Sequence, residues 1–179
     1  MKKVTLIAIA MFALMSTAAF AQAGNTATGT LTVTATVNSS INLVFNSDAA
    51  GVALSSGAGT NAATLAFGNV SAFGAVAANI TRTVVAGTSF TVSTPVDVLV
   101  TKSNSSSANY TLKAQLGSAD AVNTWGVGGT AVSNASASTI TATGTYGSNV
   151  AEAIAITVPF TTASGTSINN TINFSATSN

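Results

Sequence analysis

The chain contains no cysteine and no histidine. It can form no disulfide, offers no thiolate nucleophile or imidazole base, and lacks the usual zinc ligands. Stability must come from sheet packing, backbone hydrogen bonds or subunit contacts. The missing cysteine also removes the attachment point of a bacterial lipoprotein anchor. Charge is scarce as well, with five Lys and Arg against four Asp and Glu in 179 residues. Aromatic residues make up only 6%, too few for the paired girdles of an outer-membrane barrel, and the chain ends Ser178-Asn179 without a terminal aromatic.

What is present begins with an export pattern. Lys2 and Lys3 form a basic n-region, Val4 to Met15 an apolar stretch, and Ala19-Phe20-Ala21 a small-residue cleavage site. This predicts a signal peptide over residues 1–21; removing those 21 from 179 leaves 158. Arg82, Lys102 and Lys113 then face Asp48, Asp97, Asp120 and Glu152, so the formal charge falls from +1 to −1. Three scattered basic residues cannot neutralise a row of phosphates, which argues against a nucleic-acid partner. Beyond the leader no apolar run approaches the roughly 18 residues of a membrane helix. The mean hydropathy of +0.51 comes mostly from alanine, valine and the leader.

Alternation of side chains is the dominant signal. Thr30-Leu31-Thr32-Val33-Thr34-Ala35-Thr36-Val37 places Leu31, Val33, Ala35 and Val37 on one face and threonine on the other. The same phase resumes at Ile41, Leu43 and Phe45, as one bent strand or two. Residues 46–60 read as a glycine-containing loop, 64–70 as a short strand carrying Leu65 and Phe67, and 80–85 as a weaker strand. Residues 90–100 alternate in the even phase with Pro95 inside, which predicts an edge, a bulge or a break there. Tyr110, Leu112, Ala114 and Leu116 form a further inward set; residues 117–130 read as a glycine-rich turn around Trp125. Residues 139–146, 153–160 and 172–176 complete the series.

Strands this closely spaced leave no room for crossover helices and predict an all-β fold, an antiparallel β-sandwich of about eight to ten strands. The expected organisation is a signal peptide at 1–21, an N-terminal extension at 22–37 that includes a strand available for donation, and a sandwich domain at 38–179. A donated strand binds through main-chain hydrogen bonds while alternate side chains set its register. Leu31, Val33, Ala35 and Val37 are the expected plugs; the plainer alternative makes residues 30–37 the first strand of their own domain.

The arrangement resembles secreted bacterial fimbrial or coat-like β-sandwich subunits. The resemblance rests on the leader followed by the 30–37 alternation, on Leu65-Ala66-Phe67-Gly68-Asn69-Val70, and on Val158-Pro159-Phe160 leading through Gly165-Thr166 to Thr171-Ile172-Asn173-Phe174-Ser175-Ala176-Thr177. It implies assembly by donor-strand exchange, with residues 30–37 supplied to a neighbour. The chain departs from chaperone-assembled pilins in lacking a cysteine pair, which leaves a chaperone-independent filament or surface-layer component as the compatible form.

Chemical alternatives are weak. No G-x-S-x-G elbow accompanies the many serines, and no local motif pairs Lys102 or Lys113 with one of them, so no enzyme is expected. The four acids are dispersed and read as solvated loop residues, with a calcium site or a glycosidase carboxylate pair as the alternatives. Trp125 with Tyr110 or Tyr146 is the candidate platform for a sugar; a tryptophan sealing the sandwich is the competing reading. No cofactor is expected. The sequence therefore predicts a secreted structural subunit of an extracellular filament, pilus or surface coat, whose partners are copies of itself in a head-to-tail polymer, with a surface glycan or host-cell contact as a further partner. The alternative is a monomeric secreted adhesin or carbohydrate-binding module.

Overall fold

A computed structural model describes residues 28–179; the signal peptide expected at 1–21 lies outside the described residues. Nine strands follow in order: β1 (Ser40–Ser47), β2 (Thr81–Val85), β3 (Ser89–Ser103), β4 (Asn109–Leu116), β5 (Thr124–Val127), β6 (Thr130–Val132), β7 (Ser138–Thr145), β8 (Asn149–Pro159) and β9 (Ile172–Ser178). They form two antiparallel sheets in an open sandwich. The larger runs β1-β3-β8-β5-β6, with β2 also paired to β3; the smaller runs β7-β4-β9. Among the described residues no helix is long and apolar enough to cross a membrane.

Period-two patterning explains the core. The even residues of β3 turn inward: Phe90, Val92 and Val96 pack with Ile154, Ile156 and Val158 of β8, while Val98 and Val100 pack with Tyr110 and Leu112 of β4. Thr94, in the same phase, is 1% exposed. Its hydroxyl donates to the Asn79 carbonyl and accepts from the Val52 amide, both at 2.8 Å, so the buried polar group is satisfied. From the opposite sheet, β4 contributes Tyr110, Leu112, Ala114 and Leu116, all buried.

Pro95 narrows the sequence expectation to its edge alternative, because β3 runs through it without bulge or break, regularly paired with β8. Phe160 N–H bonds to the Thr88 carbonyl and Gly147 N–H to the Val100 carbonyl, each at 2.9 Å. Even residues of β3 thus direct their backbone groups to β8, and odd residues direct theirs to the other side. There β2 covers Ser89 to Ser93 and β1 covers Val96 to Ser103, leaving Pro95 opposite the gap between them. The missing N–H falls where no ladder partner exists.

Three further expectations change. Residues 64–70 form no strand: an isolated bridge joins Thr64 to Ser56, and Leu65 and Phe67 pack on the core from irregular backbone. Residues 117–130 contain more than a turn, since Trp125 and Val127 belong to β5 and Gly128-Gly129 connect it to β6 with φ of 56° and 80°. Residues 28–39 hold no regular element, so β1 begins at Ser40 and does not continue the 30–37 alternation.

Candidate assembly site

Residues 30–37 carry the strongest alternation in the chain yet belong to no strand, and all eight are exposed. Leu31 is 88% exposed, Val33 80% and Val37 73%. Such side chains contribute nothing to a core in this state.

The β-sandwich offers a complementary feature. β9 is the terminal strand of the smaller sheet, and among the described residues no strand pairs with its second edge. Gly117 N–H bonds to the Thr171 carbonyl at 2.7 Å and Asn179 N–H to the Asn109 carbonyl at 3.0 Å, in register with the β4–β9 ladder. Odd residues of β9 therefore face β4, and the backbone groups of Ile172, Phe174, Ala176 and Ser178 face the open edge. Their side chains share the inward face with β4's Leu116, Ala114, Leu112 and Tyr110.

Beside this edge lies a cleft of about 580 Å³ between the sheets. Val96, Val98, Ile154, Ile156 and Trp125 of the larger sheet line it, with Ile172 and Phe174 of β9 opposite and Leu65 and Phe67 along one side. At its rim Phe45 of β1 meets Phe174 with ring centroids 5.2 Å apart. Thr64, Asn169, Asn170 and Thr171 add a polar margin to these apolar walls. Apolar side chains beside a row of unpaired backbone groups are what an added strand requires.

Comparison with protein-family models, curated protein sequences and solved structures finds no match.

Trp125 is 6% exposed and its indole N–H donates to Asp120 Oδ2 at 2.8 Å. Asp120 also accepts from the Val122 and Asn123 amides and from the Asn123 side chain. Burial alone pushes this carboxyl upward, but these donors outweigh it and hold the pKa at about 2. Tyr110 is fully buried and packs 5.2 Å from Tyr146 in a different core cluster from Trp125. The structure therefore separates the residues grouped as a sugar platform: Trp125 lines the cleft, and the two tyrosines pair elsewhere. Lys102 sits 5.0 Å from the Tyr146 ring centroid and donates to the Ser107 carbonyl, while Lys113 is exposed.

Among the acids, Asp97 and Glu152 depart from the expected solvated loop position, Asp97 lying half-buried in β3; Glu152 departs further. It lies in β8, is 5% exposed, and receives one hydrogen bond, from the Thr141 hydroxyl at 3.2 Å. Burial pushes its pKa up against the smaller opposing effect of that bond. Its even position beside Ile154, Ile156 and Val158 was the signal that could have placed it inside. Asp97 is raised by burial and by neighbouring Asp48, while the Asn149 amide bonds it at 3.1 Å. Among the described residues no group of three or more His, Cys, Asp or Glu converges.

Proposed function

We propose that this protein is a non-enzymatic structural subunit of an extracellular filament, pilus or surface coat, polymerising by β-strand complementation. One observation carries the reading: a single chain holds both an exposed alternating segment outside any strand and a cleft, walled by apolar side chains of both sheets, bordered by an unpaired strand edge. Burial of Leu31, Val33, Ala35 and Val37 in a neighbour is worth about 5 kcal/mol before ordering costs. Main-chain hydrogen bonds along the edge add register and slow dissociation. Each subunit gives one strand and accepts one, so the contact is heterologous. The export pattern over residues 1–21 supports a location outside the cell.

Negative-stain microscopy of the secreted full chain tests the function, beside a form lacking residues 22–37. Regular fibres from the first and none from the second are expected. A stable monodisperse monomer from the intact mature chain contradicts the proposal.

A further inference from the structure

Building on the strand-complementation reading, we infer that residues 30–37 of a second copy run antiparallel to β9, with Leu31, Val33, Ala35 and Val37 opposite Ser178, Ala176, Phe174 and Ile172. Three independent features lead to this alignment.

The first is phase and length. Residues directly opposite in an antiparallel pair share a face, so the apolar odd residues of the incoming segment must oppose the inward even residues of β9. At about 3.4 Å per residue, an eight-residue segment spans roughly 27 Å and the seven residues of β9 roughly 24 Å. With both constraints imposed, the antiparallel alignment that gives all four apolar residues a partner in β9 is the one stated.

The second is side-chain size. In that alignment Ala35, the smallest of the four, faces Phe174, the largest side chain on β9, and Leu31 faces Ser178. The parallel alignment of equal overlap sets Val33 beside Phe174 and Ala35 beside Ala176, crowding one position and underfilling the other.

The third is topology. β1 starts at Ser40, opposite Ser103, at the end of the sandwich where β4 begins and β9 finishes. Only Asn38 and Ser39 separate Val37 from Ser40, so the segment must leave its own subunit at that end. The cleft is lined by Ile172 and Phe174 of β9 but not by Ala176 or Ser178, so it lies toward the opposite end. Antiparallel insertion brings Val37 to Ile172, setting the starting end of one subunit against the cleft end of the next, a translation that repeats without closing. Parallel insertion would bring Val37 to Ser178 and set like ends together. That geometry allows reciprocal exchange and a closed two-fold dimer. Strand direction therefore decides between a filament and a dimer.

The absence of native cysteine gives a clean background for the test. The outward residues form the closely spaced non-hydrogen-bonded pairs, within disulfide reach. Antiparallel insertion brings Thr32 opposite Thr177; parallel insertion brings it beside Asn173. Two full-length double variants, Thr32→Cys with Thr177→Cys and Thr32→Cys with Asn173→Cys, are oxidised after assembly and run without reductant. A ladder of covalent multimers from the first, with the second migrating as its own reduced monomer does, is the expected result. A discrete dimer or ladder from the second alone, or fibres that neither variant cross-links, overturns the alignment while leaving strand complementation standing. A fast-migrating monomer from the second shows closure within one chain, since the two-residue link to β1 allows a chain to reach its own β9 only in the parallel direction, and overturns the second-copy assignment. Absence of fibres from the unmodified chain overturns both this alignment and the function beneath it.

Discussion

Phe45 of β1 and Phe174 of β9 meet edge-on across the open flank of the sandwich, their ring centroids 5.2 Å apart and their planes inclined at 67°. This contact ties the free strand of the smaller sheet to the edge of the larger one. It also forms the rim of the cleft. Edge-to-face geometry adds about 0.5–1.5 kcal/mol beyond area burial. Because Phe174 is only partly buried, Phe174→Ala is expected to cost about 2–3 kcal/mol, below the range for fully buried phenylalanine. Urea unfolding checks this, and a loss below about 0.5 kcal/mol would show that the flank does not depend on the pair.

Asp120 holds the chain around Trp125 through four hydrogen bonds. Its folded pKa of about 2 lies below the ordinary 3.8. Its contribution to stability is therefore present above the unfolded value and lost as pH falls through about 2. Asp120→Ala leaves the buried indole N–H without its acceptor and is expected to cost about 1–3 kcal/mol. Tryptophan fluorescence during acid titration reads the same group, since Trp125 is the chain's single tryptophan.

Glu152 behaves in the opposite sense. Its folded pKa is raised above the ordinary 4.5, chiefly by burial. Stability from the protonated carboxyl is complete below that value and is lost as pH rises through the folded pKa. Thr141 and Tyr110 are the polar groups coupled to it from the facing sheet. Glu152→Gln keeps the shape without the charge, so it is expected to remove this slope and to match or exceed the parent's stability at neutral pH. Melting temperatures across pH 4–8 decide this expectation. An unchanged slope in the variant would assign it to another group.

Gly144 faces Tyr110 across the β4–β7 pair, and the tyrosine ring occupies the space a Cβ would need. With Tyr110 fully buried, the ring has little room to retreat. Gly144→Ala is expected to cost about 1–3 kcal/mol through overpacking. Near-UV circular dichroism should register displaced tyrosines, and an unperturbed spectrum with unchanged stability would contradict the packing account.

Much of this architecture was legible because half-buried strands advertise themselves by period two. The alternations around Leu43, Leu112, Ile156 and Phe174 each found a strand. Trp125 was harder to place, since β5 is four residues long and Gly126, Gly128 and Gly129 disguise it as a turn. Leu65 and Phe67 alternate as convincingly as a strand does, but beyond the Thr64 bridge no neighbouring edge supplies the hydrogen bonds. Which of the edge, bulge or break alternatives holds at Pro95 could not be read, because the gap between β1 and β2 arises from pairing, which local sequence does not encode. The cleft was illegible for the same reason: Phe45, Val98, Ile154 and Phe174 become neighbours only once both sheets have formed.

The central claim, that residues 30–37 complete the sandwich of another copy, is tested most directly through Trp125 at the cleft. The full chain carrying Leu31→Asp and Val33→Asp serves as an acceptor whose own segment is disabled. Titration with a synthetic peptide of residues 28–39 is then followed by tryptophan fluorescence. The account predicts a saturable spectral shift that a peptide bearing the same two aspartates does not produce. No shift, or an equal shift from both peptides, would contradict it.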